Sequence, residues 1–310
     1  MHTHNGSAEA SNSQYRLEID RHLRALGCAL AGVDPPDMTA VRTLLRGVAT
    51  DTSLAPGVTA APARNGPVPG TWLIPKDADP DRRMVYFHGL SFMAGDLATY
   101  GGFVSRLAAA ANACTLLVDY RLAPEHHYPA AHDDCLAAML WAREHGPDGA
   151  ASARCAVAGD SCGASLVLAT AVAAQGIRKP AAALVLFSPF VDLAVSGESW
   201  IRNDGRDPLL NADVARGCAS LYAPDVDPRD CRLSPLFGDL EHLPPIQIHA
   251  SMSDPAFDDA ARLIEASDRA GVPTESHSWS DLPHSWFLFH NELAEARFSI
   301  ELAGSFVRRM

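Results

Sequence analysis

From Thr71 onward the chain alternates short, almost wholly apolar runs with helical segments, and this rhythm limits the fold more than any other feature. The runs "TWLIP", "RMVYFHG", "CTLLVDY", "RCAVAGD", "AALVLFSP", "PPIQIHAS" and "TESHSW" read as strands. Between them "YGGFVSRLAAAANA", "AAHDDCLAAMLWAREH", "CGASLVLATAVAAQG" (stopped by Gly176) and "DDAARLIEASDRAG" (followed by Gly271) read as helices, and "NELAEARFSIELAGSFVRR" closes the chain as another. Near-continuous apolar strands alternating with helices require a mostly parallel sheet covered on both sides. The fold class is therefore α/β.

Three stretches stand outside the rhythm. Residues 1–14, "MHTHNGSAEASNSQ", lack the basic and apolar regions of a secretory signal and read as a disordered tail. Residues 15–50 read as two helices forming a lid segment. The first carries Leu17, Ile19, Leu23, Leu26 and Leu30 near helical spacing, and the second has Asp37 or Thr39 as its N-cap. Residues 51–310 form the principal domain, into which about residues 196–230 are inserted between two strands as a second lid segment. Both lid pieces are expected above the carboxyl ends of the strands, where open α/β sheets bind ligands.

Composition narrows the partners. A net charge of -12 argues against nucleic acid, which needs clustered Lys and Arg. No apolar run approaches the roughly 20 residues of a membrane span. Cys28, Cys114, Cys135, Cys155, Cys162, Cys218 and Cys231 are scattered, without the spacing of a metal site or of a disulfide framework. They fit reduced thiols in a cytoplasmic protein with no metal and no cofactor.

Within this frame "RCAVAGDSCGASLVLA" places Ser161 between a strand and a helix, flanked by Gly159 and Gly163. A G-x-S-x-G pattern in that context is a nucleophile elbow, and its bland rival is a helix N-cap serine. A serine hydroxyl needs a general base, and the base needs an orienting acid. Asp254 follows the strand "PPIQIHAS", and His284 follows the last strand, so both share the rim of the sheet with Ser161 in the order Ser, Asp, His. His242, His249, His277 and His290 sit before the acid, in a strand or in the closing helix. Asp258 and Asp259 start a helix, and Asp281 is too near His284. A tetrahedral intermediate also needs backbone N–H donors. Cys162 supplies one from the elbow, and "FHGLSFMAGD" offers Gly89 and Leu90.

Here the sequence resembles the hormone-sensitive-lipase-like group of the α/β-hydrolase superfamily, over about residues 70–310. "DYRLAPEHHYPAAHDD" is similar to the group's D-Y-R-L-A-P-E signature, "GDSCG" to G-D-S-A-G, "SPFVDL" to S-P-x-x-D-L, "SDPAFDDA" to D-P-L-x-D and "PHSWFLF" to H-G-F-x-x-F. The resemblance implies an α/β-hydrolase fold with a helical lid, and a serine esterase for small to medium acyl chains. In it Ser161 is the nucleophile, Asp254 the acid and His284 the base.

The departure is "HGLS" in place of H-G-G-G, which puts Leu90 and Ser91 where glycines would stand. Either the loop keeps an ordinary backbone at Leu90, or it is strained there by roughly 1 kcal/mol. A side chain at Leu90 would narrow access for bulky tertiary alcohol esters. Ser91, Phe92, Trp286 and Phe287 are the candidate substrate-binding residues. His88 is expected to anchor the loop, and Asp119, Arg121 and Glu125 to form an ion-pair network beneath it.

The leading expectation is a carboxylic ester hydrolase whose partner is a small ester, with neither nucleic acid nor membrane, and with a homodimer among the arrangements the resemblance allows. The second is a hydrolase or acyltransferase acting on an amide, carbamate or lactone. The third is a catalytically silent small-molecule receptor.

Overall fold

The computed structural model describes residues 2–4, 11–33, 37–175 and 181–310. In chain order the elements are β1 (His2–His4), α1 (Ser11–Ala31), α2 (Met38–Leu45), β2 (Val58–Pro62), β3 (Gly70–Pro75), β4 (Arg82–Phe87), α3 (Leu97–Ala111), β5 (Cys114–Val118) and α4 (Ala130–Glu144). They continue with β6 (Arg154–Asp160), α5 (Cys162–Ala173), β7 (Ala183–Phe187), α6 (Ser199–Arg202), α7 (Ala212–Tyr222), β8 (Ile246–Ser251), α8 (Phe257–Arg269), β9 (Thr274–Trp279) and α9 (Ala294–Arg309). The strands form one sheet in the order β1-β9-β8-β7-β6-β4-β5-β3-β2. Among the described residues only the pairings of β3 with β2 and β5 are antiparallel.

Side chains of successive strand residues point to opposite faces, and both faces are covered. On β4, Val85 and Phe87 join one core with α4, α5 and α8, while Met84 and Tyr86 join another with α1, α3 and α9. The central strand β6 divides in the same way, with Cys155 and Val157 on one side and Ala156 and Ala158 on the other. Helix α5 is buried at every position from Cys162 to Ala171, which explains its small and apolar composition on all sides. This packing fixes the amino end of α5 against the carboxyl end of β6, where Ser161 lies.

The expected tail over 1–14 is corrected at both of its described pieces. His2–His4 pair in parallel with His277–Trp279, covering N–H and C=O groups that an edge strand would otherwise leave open, and α1 begins at Ser11. Residues 5–10 lie outside the described residues, as does Gly176. Asp37 is the N-cap of α2, accepting from the N–H groups of Thr39 and Ala40. The closing helix starts at Ala294 rather than near Asn291, because Trp286–Leu288 form a tight turn first, and His290 falls before the helix. Among the described residues no helix is long and apolar enough to cross a membrane.

Candidate active site

Ser161 occupies the sharp turn between β6 and α5 with φ 52° and ψ -124°, a conformation that lifts its hydroxyl out of the sheet. Its N–H donates to the carbonyl of Phe187 on β7, 2.9 Å away, and its carbonyl accepts from Ala164 and Phe190. The turn passes so close to β4 that a Cβ on Gly163 would collide with the carbonyl of Phe87. The second glycine of the motif is therefore a steric requirement.

His284 Nε2 lies 2.9 Å from Ser161 Oγ, and Nδ1 lies 2.8 Å from Asp254 Oδ2. The other carboxylate oxygen of Asp254 accepts the N–H of Ala256 at 2.8 Å. Asp254 is 2% exposed, so the acid is buried and fully directed. Burial alone would lower the affinity of His284 for a proton. Asp254, then Asp207 and Asp160, outweigh that and hold its pKa at about 8. The three residues that the sequence places on one rim are thus one hydrogen-bonded relay.

The neighbouring loop starts from the strand paired with β6, Phe87 standing opposite Gly159. Its residues Leu90, Ser91 and Phe92 all take left-handed conformations, with φ of 65°, 62° and 61°. The strained alternative is the one adopted, and the Leu90 carbonyl closes the turn by accepting from Met93 and Ala94.

Gly89 requires a correction. Its N–H points inward, to Asp160 Oδ1 at 2.9 Å and the Tyr100 hydroxyl at 3.1 Å, and is already engaged. A Cβ there would collide with the Asp160 carboxylate, so glycine is needed for this close approach rather than for donation outward. Among the described residues no hydrogen bond uses the N–H of Leu90 or of Cys162.

Asp160 received no role from the sequence, although it stands inside the motif. It is completely buried, accepts from the hydroxyls of Tyr86 (2.7 Å) and Tyr100 (3.0 Å), and ties the loop of Gly89 to the elbow. Burial pushes its carboxyl up to about 6, against the pull of the two tyrosines and the Gly89 amide. His88 anchors the same loop, stacking on Tyr120 with ring centroids 4.3 Å apart. Burial lowers its pKa to about 4, so it is neutral and unsuited to proton transfer near pH 7. The Cys162 thiol is buried, and burial pushes it well above the ordinary range, leaving it protonated.

Ser161 and His284 open onto a cavity of about 540 Å³. Leu23 and Leu30 of α1, Val41 of α2, and Leu209, Leu210 and Val214 of the segment inserted between β7 and β8 wall it. Leu90 and Ser91 line it. Phe92, Trp286 and Phe287 do not. Phe92 is 1% exposed and stacks on Tyr222 at 3.8 Å, which uses the ring to seat α7. Left-handed Ser285 turns the chain back beneath the sheet immediately after His284. Trp286 therefore packs on Trp279 at 5.2 Å, and Phe287 on Phe103 and Phe187.

The expected network of Asp119, Arg121 and Glu125 does not form among the described residues: Arg121 and Glu125 enter separate pairs that leave out Asp119, because neighbours along a turn face different ways. Arg121 binds Asp134 at 2.8 Å, and Glu125 binds Arg42 of α2 at 2.6 Å. Arg42 also donates to the carbonyls of Met93 and Ala123, fastening α2 over the loop.

A central parallel sheet, a serine on a left-handed strand-to-helix turn, and an acid and a histidine after later strands define the α/β-hydrolase class. A family model described as an alpha/beta hydrolase fold matches residues 84–288. An acetyl-hydrolase of Streptomyces hygroscopicus is 34% identical over 309 residues, covering 99% of this chain and 92% of its own. The esterase LipI of Mycobacterium tuberculosis is 35% identical, covering 66% of this chain and 65% of its own. The crystal structure of an esterase from the bacterial hormone-sensitive lipase family superposes with a TM-score of 0.86 at 32% identity, covering 94% of this chain and 98% of that one. The chain belongs to the α/β-hydrolase family, in its hormone-sensitive-lipase-like esterase branch.

Proposed function

We propose that the protein hydrolyses carboxylic esters of small to medium acyl chains through an acyl-enzyme on Ser161. The observation that carries this is the relay of Ser161, His284 and Asp254, with distances of 2.9 and 2.8 Å, opening on an apolar cavity. His284 Nε2 takes the hydroxyl proton as Ser161 Oγ attacks the ester carbonyl carbon. The carbonyl π electrons move to oxygen, and the free N–H groups of Leu90 and Cys162 receive that charge. Collapse of the intermediate breaks the bond to the alcohol oxygen, which leaves with the proton from His284. Water then attacks the acyl-enzyme, giving its proton to His284, and the acid departs with Ser161 restored. Asp254 orients the ring and stabilises its charged form. Helices α1 and α2 and the inserted segment serve as the lid.

The names acetyl-hydrolase, esterase and carboxylesterase carried by relatives support the ester reading. The rival reactions on amides, carbamates or lactones rested on the Leu90–Ser91 departure. Because Leu90 adopts the left-handed path that a glycine would take and keeps its N–H free, that departure supplies no separate argument for them. A series of p-nitrophenyl esters tests the proposal. Acetyl and butyryl esters should be turned over with higher kcat/KM than the dodecanoyl ester. Near-zero rates on all of them, or a preference for dodecanoyl, would refute it.

A further inference from the structure

A polar group from outside the core of the fold also bears on the relay. Asp207 lies between α6 and α7, within the inserted segment, and is 9% exposed. Its Oδ1 accepts the N–H groups of Leu209 (2.8 Å) and Leu210 (2.7 Å), and its Oδ2 accepts the N–H of His284 at 2.7 Å. Four residues earlier, buried Asn203 donates through Nδ2 to the carbonyls of Met252 and Asp254, both at 2.9 Å. The same turn presents Pro208, Leu209 and Leu210 to the cavity. One turn therefore builds a wall of the pocket and grips both the acid loop and the base loop.

The base loop needs such a grip. Ser285, directly after His284, is left-handed with φ 61°, a conformation that a serine keeps only where its surroundings over-determine it. The N–H of Ser285 reaches Ser188 Oγ at a long 3.4 Å. The short bond from His284 N–H to a carboxylate is the stronger constraint on this turn.

We propose that Asp207 is a positioning residue for the hydrolysis, fixing the main chain of His284 so that its ring meets Ser161. The inserted segment then completes the active site as well as covering it. This rests on His284 being the base. Three carboxylates act on the imidazole by their charge: Asp254 from the loop after β8, which also binds the ring, Asp207 from the insertion and Asp160 from the end of β6. All three favour its protonated form, and burial opposes it. Removing the charge of Asp207 shifts deprotonation of the base to lower pH.

The test uses the full chain with p-nitrophenyl acetate, reading kcat/KM across neutral pH alongside thermal melting. Absence of hydrolysis by the unsubstituted protein would sink the esterase reading itself, and is thereby distinguished from a failure of this inference. Asp207→Asn should melt near the unsubstituted protein. It should lose about tenfold to a hundredfold in kcat/KM, and its acid limb should move to lower pH. Asp207→Glu keeps the charge but displaces the carboxylate by one methylene, so it should lose rate while its acid limb stays closer to the original. An unchanged rate and acid limb in Asp207→Asn would overturn the proposal. So would activity lost by both variants only in proportion to protein that fails to fold.

Discussion

Two tight turns meet at the carboxyl ends of the paired strands β4 and β6, and in each glycine is obligatory only where a Cβ has no space, at Gly163 in one and Gly89 in the other. At the elbow, Gly163 sits where a Cβ would strike the Phe87 carbonyl, while left-handed Ser161 carries the hydroxyl. In the loop after β4, three consecutive left-handed positions are held by Leu90, Ser91 and Phe92. Free space, not φ alone, decides where glycine is obligatory. Leu90 and Ser91 project toward the cavity and Phe92 finds Tyr222, so each side chain has room although its backbone is unfavourable by roughly 1 kcal/mol. Asp160 joins the two turns, belonging to the first and binding the N–H of Gly89 in the second.

Substitutions at the two turns should differ in effect. Gly163→Ala forces a methyl against main chain and should destabilise by about 3 kcal/mol or more, read by chemical denaturation. A cost below that of altering Leu90 would end the comparison. Asp160→Ala cuts the link between the turns and should lower kcat/KM by on the order of a hundredfold, beyond any loss of folded protein measured by melting. Leu90→Gly should change stability by less than about 1 kcal/mol. It should also raise the rate on a tertiary alcohol ester, relative to the primary ester of the same acid, by about tenfold. An unchanged ratio would show that Leu90 is only a tolerated loop variant.

The smallest effect concerns pH. The pKa of His284 is raised from 6.5 to about 8 in the folded protein, so the protonated ring favours the fold. That contribution is complete below about 6.5 and is lost as pH rises through about 8, amounting to about 1–2 kcal/mol. Denaturation midpoints of the unsubstituted protein and His284→Ala should converge over that window. Parallel curves would remove the argument.

The central sheet was legible because uninterrupted apolar runs such as "TLLV" and "AVAG" leave no solvent face, so the sheet they build has to be covered on both sides. The hydrogen-bonded arrangement of Ser161, Asp254 and His284 was legible because all three follow strands and so share one rim of the sheet. The aromatic neighbours were not. Nothing in "HSWF" says that Ser285 turns left-handed and sends Trp286 and Phe287 into the core. The inward commitment of Gly89 depends on Tyr100 and Asp160, residues 11 and 71 positions away. Asp207 had one faint signal, an aspartate ahead of Pro-Leu-Leu that caps its own turn. Its third contact, 77 residues on, exists only in three dimensions.

Mass spectrometry after treatment with a fluorophosphonate probe, applied to the unsubstituted protein, Ser161→Ala and Cys162→Ala, tests whether Ser161 is the nucleophile. One adduct should form on the peptide containing Ser161, persist in Cys162→Ala and vanish, with ester hydrolysis, in Ser161→Ala. An adduct on another residue, or hydrolysis surviving in Ser161→Ala, would contradict the account.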